Sequence, residues 1–140
     1  MLDLDANTEF GARVARRLRE ERVIWLVTVR ADGTPQPTPV WFLWDNETFL
    51  IYSRPKQQKL KNIARNPRVA LHFDGDGQGG DIVVFSVEAR IQQHPPSAQA
   101  APAYIEKYQK GLQRLGDMPA GFARTFSVAI RVTPTGLRGH

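Results

Sequence analysis

Three prolines at every second position, Pro35, Pro37 and Pro39, stand directly before the apolar run Val40-Trp41-Phe42-Leu43-Trp44. Proline has no backbone N–H and is excluded from helix interiors, so this segment is extended. In a strand the N–H groups of alternate residues point to the same side. One side of this strand therefore cannot donate a continuous ladder, while Gln36, Thr38 and Val40 keep their amides on the other. The pattern predicts an unpaired or split sheet edge, with backbone polar groups free to meet a planar ligand.

The chain continues through a turn at Asp45-Asn46-Glu47 into a strand, Thr48 to Tyr52, and then a short helix. Ser53 is the expected cap and Pro55 suits the first turn; Leu60, Ile63 and Ala64 fall on one face, and Pro67 stops the helix after Asn66. Arg54, Lys56 and Lys59 cluster at its start, where the helix dipole is positive. Each exposed, unpaired cation there costs roughly 0.3–1 kcal/mol, and a bound anion reverses that cost. A phosphate pocket and a solvated basic face are the two readings of this cluster.

A length of 140 residues suits one domain, taken as spanning 1–140. A chain of this size buries about two thirds of its unfolded surface. No stretch has the apolar length of a membrane span, and the opening MLDLDANTEF lacks the order of a signal peptide, so a soluble, cytoplasmic protein without membrane association is expected. There are no cysteines, which removes disulfides, thiolate metal sites and a cysteine nucleophile together. The net charge of +5, from 19 Lys and Arg against 14 Asp and Glu, implies an anionic partner. Nucleic acid is not expected, because the bases form no tail and no RNA- or DNA-binding signature is present.

Residues 8 to 21 have the spacing of an amphipathic helix, with Thr8 as cap, Phe10, Val14 and Leu18 along one face, and Arg13, Arg16, Arg17 and Arg19 on the solvated side. Val23 to Val29 is an apolar, β-branched strand, expected to be buried on both faces. Ala31-Asp32-Gly33-Thr34 turns it back into the proline-marked strand. Further strands are expected over Arg68 to Phe73, Ile82 to Ile91 and Phe126 to Val132. A helix is expected from Ser97 to Leu115, after Pro95 and Pro96 close the preceding strand, with Tyr104, Tyr108, Leu112 and Leu115 as a packing stripe. Pro119 to Arg124 adds a helical turn. Six or so antiparallel strands with peripheral helices make a small barrel.

The loop 74–81 places Asp74, Asp76 and Gly79 at the first, third and sixth positions of an EF-hand pattern, but the twelfth is Phe85 and strands flank it. No metal is expected. His72, His94 and His140 belong to no Ser-His-Asp arrangement, and neither a Walker A motif nor a GxGxxG after a strand occurs. His72 shares a strand face with Ala70. No catalytic side chain is assigned; chemistry here would belong to a bound cofactor.

The order of a strand with prolines, PVWFLW, a turn, a strand, SRPKQQKL and then NPRVALHF resembles the pyridoxamine 5'-phosphate oxidase-like FMN-binding split barrels, and more closely their branch of coenzyme F420-dependent (deazaflavin) oxidoreductases. The resemblance runs from the first helix to the ending SVAIRVTPTGLRG. It does not extend to the substrate-binding residues of pyridoxamine-phosphate oxidase itself.

What the resemblance implies is a mainly β, six-stranded antiparallel split barrel with peripheral helices, forming a homodimer with cofactor sites at the interface. The cofactor phosphate would lie beside Arg54, Lys56 and Lys59, with Ser53 and Gln57 as polar partners. The flavin-like ring would lie against Thr38, Pro39, Val40 and Trp41. The implied reaction is hydride transfer from reduced coenzyme F420 to a small organic substrate. The alternatives are an FMN-binding oxidoreductase and a non-catalytic module that binds a flavin or tetrapyrrole.

Overall fold

The computed structural model describes residues 4–5, 7–92, 97–98, 101–116 and 119–140. The elements, in chain order, are α1 (Glu9–Glu20), β1 (Val23–Val29), β2 (Pro35–Trp41), β3 (Leu43–Asp45), β4 (Thr48–Ser53), α2 (Gln58–Arg65), β5 (Arg68–His72), β6 (Val83–Ile91), α3 (Pro102–Arg114), α4 (Pro119–Thr125) and β7 (Val128–Gly139). The expected strand end at Pro95 and Pro96 lies outside the described residues, as does His94.

The strands form one antiparallel sheet in the order β2-β1-β5-β6-β7-β4-β3. β2 is an edge and pairs with β1 along its whole length. The ladder donors are therefore Gln36, Thr38 and Val40, and the prolines turn their donorless side to the open edge. The other edge, β3, is separated from β2 in the chain by Phe42 alone. A sheet whose first and last strands are joined through one residue has to curl until its edges meet, which makes a split barrel. Seven strands replace the six expected, because the single strand from the prolines to Trp44 breaks at Phe42.

The inner face is a phenylalanine-rich core in which Phe42, Phe49 and Phe85 are wholly buried with Ile24, Leu26 and Leu71. β1 is buried on one face only: Ile24, Leu26 and Thr28 are at 0 % exposure, whereas Val23 is 41 % exposed and Trp25, Val27 and Val29 are half-buried. The expectation of a doubly buried strand fails because α3 and α4 reach only the end of this outer face, at Trp41, and among the described residues leave Trp25, Val27 and Val29 half-buried. Two-residue and five-residue connections close the hairpins: Asn46 and Glu47 both have positive φ, as a type I′ turn requires, and Gly33 supplies a φ of 88° between β1 and β2.

α1 is capped as expected, with the Thr8 hydroxyl accepting the Gly11 N–H at 2.9 Å. Arg17, however, is buried rather than solvated. It donates to the carbonyls of Asp74 at 2.7 Å and Asp81 at 3.0 Å, pairs with Glu21 at 3.0 Å and covers the Phe73 ring. The glycine-rich loop is thereby fastened to α1. β7 runs past its expected end at Val132, accommodating Pro134 through a register shift opposite Ser86 and Val87. α3 begins at Pro102, later than Ser97, and Leu115 just beyond it is 61 % exposed instead of packed. α3 and α4 build a second core over Leu50, Tyr52 and Ala129, from Tyr104, Tyr108, Leu112 and Phe122.

Candidate functional site

The break at Phe42 leaves a peptide group in no strand, and α3 supplies its partners. The Phe42 N–H donates to the Tyr108 hydroxyl at 2.7 Å, and the Phe42 carbonyl accepts from Lys107 Nζ at 2.7 Å. The Tyr108 hydroxyl also lies within donating distance of the Phe42 and Arg22 carbonyls. Trp41, next in the chain, stacks face to face on Tyr108 with centroids 4.4 Å apart and on Phe122 at 5.8 Å. Gly111 permits this approach, since a Cβ there would stand 3.1 Å from the indole. The strand with the prolines is thus held against α3 and α4 at the point where its apolar run begins.

On the other side of the split, β4 continues to Ser53, one pair beyond its expected end, in register with Val128. Ser53 is consequently not a helix cap: it is buried, and its hydroxyl donates to the Arg54 carbonyl at 2.8 Å. Pro55 and Lys56 make a tight turn in which Lys56 has a left-handed φ of 64°, and α2 starts only at Gln58. Gln57 occupies the cap position without a side-chain hydrogen bond. The leading amides of α2 therefore lack a side-chain cap, with cations beside them.

Leu60 and Ile63 are buried as expected, but Ala64 is exposed and Asn62 takes the inward position. Asn62 is wholly buried and donates to the Thr28 hydroxyl and the Gln36 side-chain carbonyl, both at 2.9 Å, while its own carbonyl accepts from Gln58 at 2.9 Å. This network ties α2 to β1 and β2. It fixes where the helix start lies relative to the proline strand.

Between these elements lies a cleft of about 290 Å³, lined by Pro39, Val40, Trp41, Tyr52, Lys59, Tyr104, Leu115, Phe122 and Phe126. Of the sequence-predicted residues, Pro39, Val40, Trp41 and Lys59 meet here. Arg54 stands beside it, its guanidinium 5.3 Å from the centroid of Phe126. Thr38, Ser53, Lys56 and Gln57 do not line the cleft; Lys56 and Gln57 are exposed on the turn before α2. Lys59 is half-buried, and desolvation lowers its pKa from the ordinary lysine value with no carboxylate acting on it.

Tyr104 is at 0 % exposure, and its hydroxyl has no hydrogen-bond partner among the described residues. Tyr104 and Phe122 come from α3 and α4, and Phe126 follows α4; sequence reasoning took Tyr104 as packing, Phe122 as part of a helical turn and Phe126 as the start of the last strand, which begins only at Val128. The signal was present in the aromatic spacing of Tyr104 and Tyr108, but nothing in the sequence says which strand such a stripe covers. A larger open groove of about 560 Å³ beside α2, lined by Glu88, Arg90 and Arg131 among others, holds none of the predicted residues.

A curled antiparallel sheet whose edges meet at one joint, with a ring-sized cleft at the split, defines a split-barrel protein of the flavin-binding type. The family described as pyridoxamine 5'-phosphate oxidase matches residues 10–140, and this chain belongs to it. A solved structure described as an F420 reductase is 31% identical, over 88% of this chain and 94% of that one, with a TM-score of 0.58. A conserved hypothetical protein from Mycobacterium tuberculosis is 24% identical over 94% of this chain and 82% of its own, with a TM-score of 0.72. The heme storage protein HutZ from Vibrio cholerae is 17% identical over 99% and 95%, with a TM-score of 0.62. The last two share the fold alone. No protein with a curated description is significantly similar in sequence. Among the described residues no helix is long and apolar enough to cross a membrane.

Proposed function

We propose that this protein is an oxidoreductase that uses reduced coenzyme F420 to reduce a small organic substrate. The observation that carries this reading is the cleft that unites Pro39, Val40 and Trp41 with Lys59 beside the start of α2. Its aromatic walls suit a tricyclic ring, the half-buried Lys59 ammonium suits an anionic group, and the orphaned Tyr104 hydroxyl suits a ring acceptor. The 31% identity to a protein described as an F420 reductase supports the choice of cofactor.

In this reading the ring lies against Thr38 to Trp41, and the open edge of β2 meets it through backbone groups of Pro39 and Trp41, since the amides of Thr38 and Val40 serve the ladder with β1. Arg54, Lys56 and Lys59, with Ser53, Gln57 and the leading amides of α2, surround the phosphate end. Reduced deazaflavin, when bound, supplies a hydride from C5, and solvent supplies the proton that completes the two-electron reduction. The protein's own part is to hold the ring, press a substrate against its free face and keep water out. The partly exposed outer side of β1 and β2, with Trp25, Val27, Pro37 and Pro39, is the surface on which a second copy would complete the site. FMN is the alternative cofactor, since Lys59 and the helix start would accept its phosphate equally well.

Fluorescence titration of the purified protein with coenzyme F420 and, in parallel, FMN tests the reading. Preferential micromolar or tighter binding of F420 is expected, weakened about tenfold or more by Lys59→Ala. Preference for FMN transfers the protein to the flavin side of the family. Binding of neither removes the enzyme reading.

A further inference from the structure

We propose that the Tyr104 hydroxyl is the hydrogen-bond donor for a carbonyl or ring-nitrogen acceptor on a planar conjugated ligand seated in the cleft, and so determines which rings the cleft accepts. The cofactor arm of this inference rests on the function proposed above. The donor itself rests only on the geometry of α3.

Tyr104 and Tyr108 lie one turn apart on the same helix and are both buried, but their hydroxyls have opposite fates. Tyr108 is hydrogen-bonded to backbone groups of Phe42, whereas the Tyr104 hydroxyl has no acceptor among the described residues. A buried hydroxyl without a partner destabilises the chain that carries it, and phenylalanine would fill the same space without that loss. Packing does not call for the oxygen: Tyr104 meets Tyr52 edge-on at 4.8 Å, Tyr108 at 4.9 Å and Phe122 at 5.9 Å through its ring alone. The residue lines the cleft, whose other walls at Trp41, Leu115, Phe122 and Phe126 are mainly apolar.

Desolvation, reinforced by Tyr108 and Tyr52, pushes the Tyr104 phenol above its ordinary range, so it keeps its proton at all ordinary pH values. It serves as a neutral donor and not as an acid. The cation, Lys59, is a separate member of the same lining. The ligand chemistry this fits is a flat aromatic system with an uncharged acceptor for Tyr104 and an anionic or solvent-directed group for Lys59. Such a ring belongs either to the cofactor or to the substrate.

The test compares the full-length wild type with Tyr104→Phe, using 9-fluorenone and fluorene as isosteric probes that differ by one carbonyl. Calorimetric titration of the cofactor-free protein should show wild type preferring fluorenone about tenfold, and Tyr104→Phe binding the two alike, as loss of one hydrogen bond predicts. The variant should also unfold at a higher temperature than wild type when no ligand is present. An undiminished preference in the variant, or failure of wild type to bind either probe, overturns the inference.

Titration with coenzyme F420 separates the sources. A roughly tenfold weaker affinity in Tyr104→Phe assigns the donor to the cofactor ring, and an unchanged affinity with lost fluorenone preference assigns it to the substrate ring. Absence of F420 binding by wild type would remove the proposed function while the fluorenone comparison still decides the role of Tyr104.

Discussion

The Tyr108 hydroxyl accepts the Phe42 N–H at 2.7 Å and stands 2.6 Å from the Phe42 carbonyl, so one side chain satisfies both backbone groups of the residue where the sheet's two edges join. The joint that allows the barrel to close is therefore held by a helix, not by a neighbouring strand.

Tyr108→Phe removes that partner while keeping the ring stacked on Trp41. The Phe42 N–H is left buried and unpaired, and a loss of about 1–3 kcal/mol in unfolding free energy is expected. A urea titration followed by fluorescence measures it. A midpoint equal to wild type would show that the joint needs no such fastening.

Asn62 predicts a second loss of the same kind at the other side of the cleft. Asn62→Ala strands the Thr28 hydroxyl and the Gln36 carbonyl, and a cost of about 1–3 kcal/mol is expected. A double-mutant cycle with Thr28→Val should return a coupling of about 0.5–3 kcal/mol. Additive effects would mean that α2 is positioned by its apolar face alone.

Lys107 gives the chain a pH dependence of definite sign. Burial, aided by Arg22 and opposed by Glu21, lowers its pKa from 10.5 to about 8. Between those values the unfolded chain binds more protons than the folded one, so stability rises with pH from about 8 toward 10. Lys59, also lowered by burial, adds the same sign. The raised phenols of Tyr104 and Tyr108 oppose it only above about pH 10, where unfolded tyrosines ionise. Thermal melts across this range should show a smaller rise for Lys107→Met than for wild type. Equal slopes would contradict the assignment.

Where the signal was local, the sequence was legible. The prolines announced an edge strand because the missing N–H is a property of the residue itself, and Thr8 announced the start of α1 for the same kind of reason. The β4–α2 connection was misread because Ser53 is a good cap in isolation, yet pairing with β7 outweighs capping there. Arg17 was misread because its partners are carbonyls 57 and 64 residues away, which no helical pattern encodes. The cleft was half visible: Pro39 to Trp41 and Lys59 could be singled out in one stretch, whereas Tyr104, Phe122 and Phe126 reach it only through the way α3 and α4 fold back over β4. Asn62 drew no reading from the sequence, because only the approach of β1 and β2 makes it a buried knot.

The Phe42 joint also has a history within each round of synthesis. Tyr108 lies 66 residues further along the chain, so at about 5–20 residues per second the ribosome makes β2 and β3 some 3–13 s before the group that fastens them. During that interval the nascent sheet has an open margin, to which another unfinished chain would ordinarily zip. Pro35, Pro37 and Pro39 leave that margin without donors at every second residue. They guard the barrel while it is still incomplete.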